Sequence, residues 1–143
     1  MPLIDAKGEE IAELAGLTLY PLAELPAMLP APAGVVLPPN AELTAILPRL
    51  GELAVIAVEF PKFRDGRGFT LARSLREHHG YKGDIRAVGH FIPDQFVFMI
   101  SCGFSSFAPP PEHVAAQFAT ELANPRQPGQ LLRRALSRAR EKG

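Results

Sequence analysis

At 143 residues, 47% of them hydrophobic, the chain can bury one substantial core and is too short for two ordinary domains. Fifteen Lys and Arg balance fifteen Asp and Glu, so the chain lacks the strong positive charge expected of a general nucleic-acid binder. The single cysteine, Cys102, forms no internal disulfide, no apolar run approaches a membrane span, and the first thirty residues carry Asp5, Glu9, Glu10 and Glu13 without a basic n-region. A cytoplasmic protein with no secretory signal is expected.

The neutrality hides a division. Residues 1–59 hold eight acids against Lys7 and Arg49, and residues 60–143 hold thirteen bases against seven acids. Six of those bases, Arg126, Arg133, Arg134, Arg138, Arg140 and Lys142, lie near the end. Such asymmetry steers anionic ligands toward the second half.

Met1 to Pro32 reads as a Pro-rich lead, roughly 1–33, in which "LTLYPL" suits an edge strand. "GVVL" then predicts a strand. Asn40 is placed to cap a helix carrying Leu43, Ile46, Leu47 and Leu50 at helical spacing. The continuous run Leu53 to Phe60 predicts a central strand buried on both faces, as in a parallel sheet with helices on either side. Gly68 to His79, with Leu71, Ala72 and Leu75 apolar, predicts a helix ended by Gly80. "DIRAVGHF" predicts a strand after Gly83, and "DQFVFMISCG" a helix with Pro93 in its first turn and Gly103 beyond its end. "FSSF" fits a last strand, followed by helices over 112–122 and 131–140, the latter within a basic C-terminal helix at 127–143. The sum is a single α/β domain over 1–143. It has about four βα units and a small parallel sheet, in an open, flavodoxin-like or a partial-barrel arrangement.

Ligands of such folds bind where the βα loops meet at the carboxyl ends of the strands. "FPKFRDGRGFT" is such a loop. Lys62, Arg64 and Arg67 supply charge, while Gly66, Arg67 and Gly68 open a helix whose first amides have no intrahelical partner. The loop is therefore a candidate oxyanion site, extended by Arg73, Arg86 and Gln95. Asp65 has two readings, as part of that site or as the cap of the helix. Arg86 and Asp94 are expected to meet Asp65 or Arg73 across neighbouring loops. His90 and Asp94, at the next strand end, are the candidates for proton transfer, set against a structural histidine and a helix-start acid. Adjacent His78 and His79 diverge on a helix, and no metal site is expected. Cys102, near a helix C-terminus, reads as packing, and Ser105 and Ser106 have no identifiable base.

The stretch from Leu53 to Phe107 resembles an uncharacterised proteobacterial family, a domain of unknown function numbered 934, whose members show the pattern FPxFxDGRGxSxAxxLRxxxGYxGxxRAxGxxxxDQxxxxxRCGFxxF. The positions read as shared include Asp65, Gly66, Arg67, Gly68, Arg73, Tyr81, Gly83, Arg86, Gly89, Asp94, Gln95, Cys102 and Gly103. Thr70 stands where serine is usual, Ser101 where a base is common, and His90 and Phe91 also depart from the pattern. Members are often encoded beside assimilatory sulfite reductase and loosely labelled oxidoreductases. The resemblance thus implies an accessory role in sulfur assimilation, with a sulfite reductase or related enzyme as partner. A small oxidoreductase, or an enzyme binding flavin or another phosphate-bearing ligand at the same strand ends, is the alternative. Five phenylalanines between Phe91 and Phe107 supply either a thick core or an apolar patch, and a homodimer, or a sulfite-reductase partner in its place, is expected.

Overall fold

The computed structural model describes residues 3–62 and 64–123. Five parallel strands form its centre: β3 (Thr18–Pro21), β4 (Ala33–Leu37), β5 (Val55–Phe60), β6 (Asp84–Gly89) and β7 (Ser106–Ala108). Two short strands, β1 (Leu3–Asp5) and β2 (Glu10–Ile11), extend the sheet antiparallel beyond β7, giving the order β2-β1-β7-β6-β5-β4-β3. "LTLYPL" is indeed an edge strand. The lead is otherwise more ordered than its prolines suggest, because β1 finds the free edge of β7 through the pair Ile4 and Phe107.

The parallel strands follow one another in sequence order, and their connections lie on one face. Helices α1 (Arg67–Glu77), α2 (Phe96–Cys102) and α3 (Ala115–Leu122) join Val35, Ile56, Val58, Ile85, Ala87 and Phe107 in one buried cluster, together with Ile46 from the β4–β5 connection. Leu22, Leu25 and Leu29 of the β3–β4 connection pack against it. Right-handed crossovers that always step the same way must stay on one side of a sheet. The sheet is open, since β2 and β3 form separate edges, but it is wound like a segment of barrel wall. It lacks the reversing strand order of a flavodoxin-like sheet.

One-sided winding corrects the expectation of helices on both faces of β5. Val55 and Ala57 are buried on the back face, yet Glu59 on that face is exposed. Residues 12–17, which must carry the chain from the β2 edge to the β3 edge, run over this back face as a strap. The helix expected after Asn40 is two 3-10 segments, Leu43–Ala45 and Leu47–Glu52, without a side-chain cap. Pro48 sits at the start of the second and, inside the single helix that the spacing suggests, has no N–H for the Thr44 carbonyl. The helix predicted from "DQFVFMISCG" likewise begins as a 3-10 turn, Pro93–Gln95, before α2. The helical segment at 131–140 and the C-terminal helix at 127–143 lie outside the described residues. Among those described, no helix is long and apolar enough to cross a membrane.

Phe91, Phe96, Phe98, Phe104 and Phe107 are all buried. Edge-on and tilted ring contacts link them to one another and to neighbours, among them Phe96 with Phe107 at 4.7 Å and Phe91 with Phe118 at 5.7 Å. All five take the core alternative within the chain.

Candidate functional site

After β5 the chain turns through Lys62, with the Asp65 N–H donating to the Lys62 carbonyl at 3.0 Å. Lys62 and Arg64 are exposed and make no ion pair among the described residues. Asp65 stands one residue before the N-cap, Gly66, and serves the helix start without being its side-chain cap. Its Oδ1 accepts the Arg67 backbone N–H at 3.1 Å and the Arg67 Nε at 3.0 Å, and its Oδ2 accepts Nη2 at 2.8 Å. Hydrogen bonding to Arg67, opposed by burial, holds the Asp65 carboxyl below the usual range. A carboxylate of the chain itself thus sits where the sequence suggested an external oxyanion, and it also neutralises Arg67.

The second glycine of "GRG" serves packing. Gly68 is buried, and a Cβ there would lie 2.6 Å from the Phe60 ring and 3.1 Å from Val58. The first turn of α1 therefore rests directly on β5.

A groove of about 370 Å³ runs along α1 from Gly66 to His78, with α2 as its other wall. Its apolar part is Phe69 and Phe98, whose rings meet edge-on at 5.0 Å. Thr70, Arg73 and Ser74 supply polar groups, and Glu77 lies on the same wall. Arg73 is exposed, and its Nη2 approaches the Cys102 Sγ at 3.7 Å. No described carboxylate pairs with it. Cys102 is 2% exposed, and burial pushes its thiol pKa up, with Arg73 opposing the shift. A thiol so placed packs well and ionises poorly.

The other expected site residues divide. His90 is exposed at the end of β6, its backbone N–H donating to Phe60 O at 2.7 Å. Asp94 is half-buried in the 3-10 turn, and buried Gln95 accepts the Ile92 N–H through Oε1 at 3.2 Å, closing that turn from within. Arg86 does not reach Asp65 or Arg73. In the parallel register Pro21, Val36, Ala57, Arg86 and Ser106 form one row, and that row faces the back of the sheet. Arg86 donates from both terminal nitrogens to Glu13 at 2.7 and 2.8 Å, from Nε to Ser106 at 3.1 Å, and more weakly to Asp84 at 3.4 Å.

Sequence reading also missed Arg76. It donates to the carbonyls of Gly103 at 3.0 Å, Tyr81 at 2.8 Å and Gly83 at 2.7 Å, and lies over the Tyr81 ring. Its pKa is lowered, mainly by burial. Ser105 and Ser106, without a base in the sequence reading, both donate to Asp84, at 2.5 and 2.7 Å. The pairing of Leu75 and Arg76 in the central pattern was the available signal for Arg76. Nothing comparable marked Glu13, which is 73 residues from its partner.

No curated protein and no solved structure matches the chain. A family model covers residues 34–131, more than half of it, and takes in β4 to α3, both walls of the groove and Arg86. The chain belongs to the family described as a bacterial protein of unknown function (DUF934).

Proposed function

We propose that this protein is an accessory binding protein of sulfur assimilation that takes an oxyanion-bearing ligand between α1 and α2, with the loop before α1 at the mouth of the site. The observation that carries the reading is Arg73. It is an exposed guanidinium in a partly apolar groove, beside two hydroxyls, with no carboxylate partner among the described residues. Arg offers paired donors suited to sulfate, sulfite, phosphate or carboxylate. Lys62 and Arg64 add charge nearby in sequence that no described carboxylate pairs, whereas Arg67 is paired with Asp65. Phe69 and Phe98 favour a ligand with an apolar part next to its charge. The buried, poorly ionised thiol of Cys102 favours binding over redox chemistry at this groove.

The sulfur-assimilation setting is the one the family resemblance implies, with sulfite reductase or a related enzyme as partner. Titration with sulfate, sulfite and phosphate at constant ionic strength tests the site. Melting temperature is expected to rise in the wild type and in Arg67→Ala, and to lose that rise in Arg73→Ala. Equal responses in the wild type and Arg73→Ala would place binding elsewhere.

A further inference from the structure

The back face of the sheet carries a second guanidinium in a different state. Arg86 is 4% exposed, and its orientation is fixed from below by Ser106 Oγ, itself donating to Asp84. Its two terminal nitrogens meet one carboxylate in the paired geometry that Arg and carboxylates favour. That carboxylate belongs to Glu13, whose side chain is 52% exposed. The buried partner is thus built into the sheet, and the exposed partner reaches it from the strap.

The strap is lightly attached. Residues 12–16 are all exposed, Leu14 at 47%, and Leu17 is half-buried. Besides the Arg86 pair, the Glu13 carboxylate accepts the adjacent Leu14 N–H, and the Leu17 N–H closes a turn onto the Leu14 carbonyl. The family match separates the same two halves. Arg86, Ser106 and Asp84 fall within residues 34–131, and Glu13 falls outside.

We propose that Arg86 is a carboxylate-binding site on the back face, closed in this chain by its own Glu13, and that a carboxylate ligand takes the position of Glu13 when the strap moves away. Ser106 and Asp84 hold the fork ready in either state. The ligand's carboxylate accepts the two N–H groups now given to Glu13, so no buried donor is left without a partner. The exchange is non-covalent and trades one carboxylate for another. The strap acts as an internal competitor, and a ligand must outbind a group held at high effective concentration.

Formate, a bare carboxylate, is the probe. Glu13→Ala is expected to lower the melting temperature by about 5–10 °C, and formate is expected to restore at least half of that loss relative to chloride at equal ionic strength. Wild type, with the fork occupied, should show no such difference. Adding Arg73→Ala to Glu13→Ala should leave the rescue intact, which separates this site from the α1–α2 groove. Glu13→Gln, which keeps the side chain's length and removes its charge, provides the same comparison if Glu13→Ala does not fold. A formate response that is absent from the folded Glu13 variant, or equal in the variant and wild type, would overturn the proposal.

Discussion

Asp65 and Arg67 form a closed unit at the start of α1, in which one carboxylate accepts both the backbone and the side chain of the same arginine. The loop therefore meets its own need for negative charge at a helix start. This moves the anion-binding candidate from Gly66–Gly68 to Arg73, about two turns along the helix.

Removing the Asp65 carboxylate should loosen the first turn of α1. Asp65→Asn keeps an acceptor for the Arg67 N–H but loses the ion pair, and Asp65→Ala loses both. Losing a hydrogen bond of this kind costs about 1 kcal/mol. The pH dependence has a definite sign. The folded-state pKa is depressed, so the contribution is present above the unfolded carboxylate pKa and declines as pH falls through the folded value. Melting temperatures measured from about pH 6 down to pH 3 should converge for wild type and Asp65→Asn. Curves that stay parallel throughout would show that Asp65 titrates alike in both states.

Gly68→Ala sets two effects against each other. Alanine is the better helix former by about 1 kcal/mol. The new methyl, however, would approach the Phe60 ring at 2.6 Å in a close-packed interface, where overpacking costs about 1–3 kcal/mol. Phe60 has little room to yield, since it also contacts the rings of Phe69, Phe91 and Phe104. Net destabilisation is expected in urea unfolding, and a more stable variant would show that the helix shifts to admit the methyl.

The aromatic cluster gives a simpler expectation. Phe96 is fully buried between Phe107 and Phe118, so Phe96→Ala should cost about 3–5 kcal/mol by transfer and cavity terms together. Because these rings face the core, the loss should not depend on protein concentration. A concentration-dependent midpoint would instead tie the cluster to assembly.

Much of the parallel framework was legible in the chain, for reasons visible in particular residues. The run from Val55 to Phe60 is apolar because both its faces are largely buried, and Gly80 and Gly103 mark helix ends because both adopt positive φ. The segment after Asn40 misled because Leu43, Ile46, Leu47 and Leu50 keep helical spacing, while Pro48 decides the hydrogen bonding. The site was legible in kind, as basic residues around α1, but its partners were not. Spacing alone does not tell whether Arg67 faces a ligand or Asp65. Arg86 illustrates the deeper limit: its position in a strand was readable, but the face it points to and the distant Glu13 it meets depend on register and on one-sided winding.

Cys102 should behave as an inert thiol. It is buried at the floor of the groove with its pKa raised above the ordinary cysteine value, so the thiolate needed for alkylation is scarce and shielded. Labelling by a maleimide at neutral pH should be slow in the native state and immediate in denaturant. Rapid native labelling, slowed by sulfate or phosphate, would instead mean that the groove opens readily and that the ligand closes it.

Arg76 joins α1 to the segments on either side of β6, and its replacement should be among the most damaging in the chain. It bonds the carbonyls of Tyr81, Gly83 and Gly103, and Gly103, at φ 113°, packs its bare Cα against the Arg76 stem. Arg76→Ala removes the donors and strands three partly shielded carbonyls, for a loss of about 2–4 kcal/mol. Lysine carries charge of the same sign but cannot reproduce a planar fork reaching three acceptors at once, so Arg76→Lys should recover less than half of the loss. Equilibrium unfolding of the two variants decides between geometry and charge. Near-complete recovery in Arg76→Lys would mean that positive charge at the end of α1 matters more than the three directed bonds.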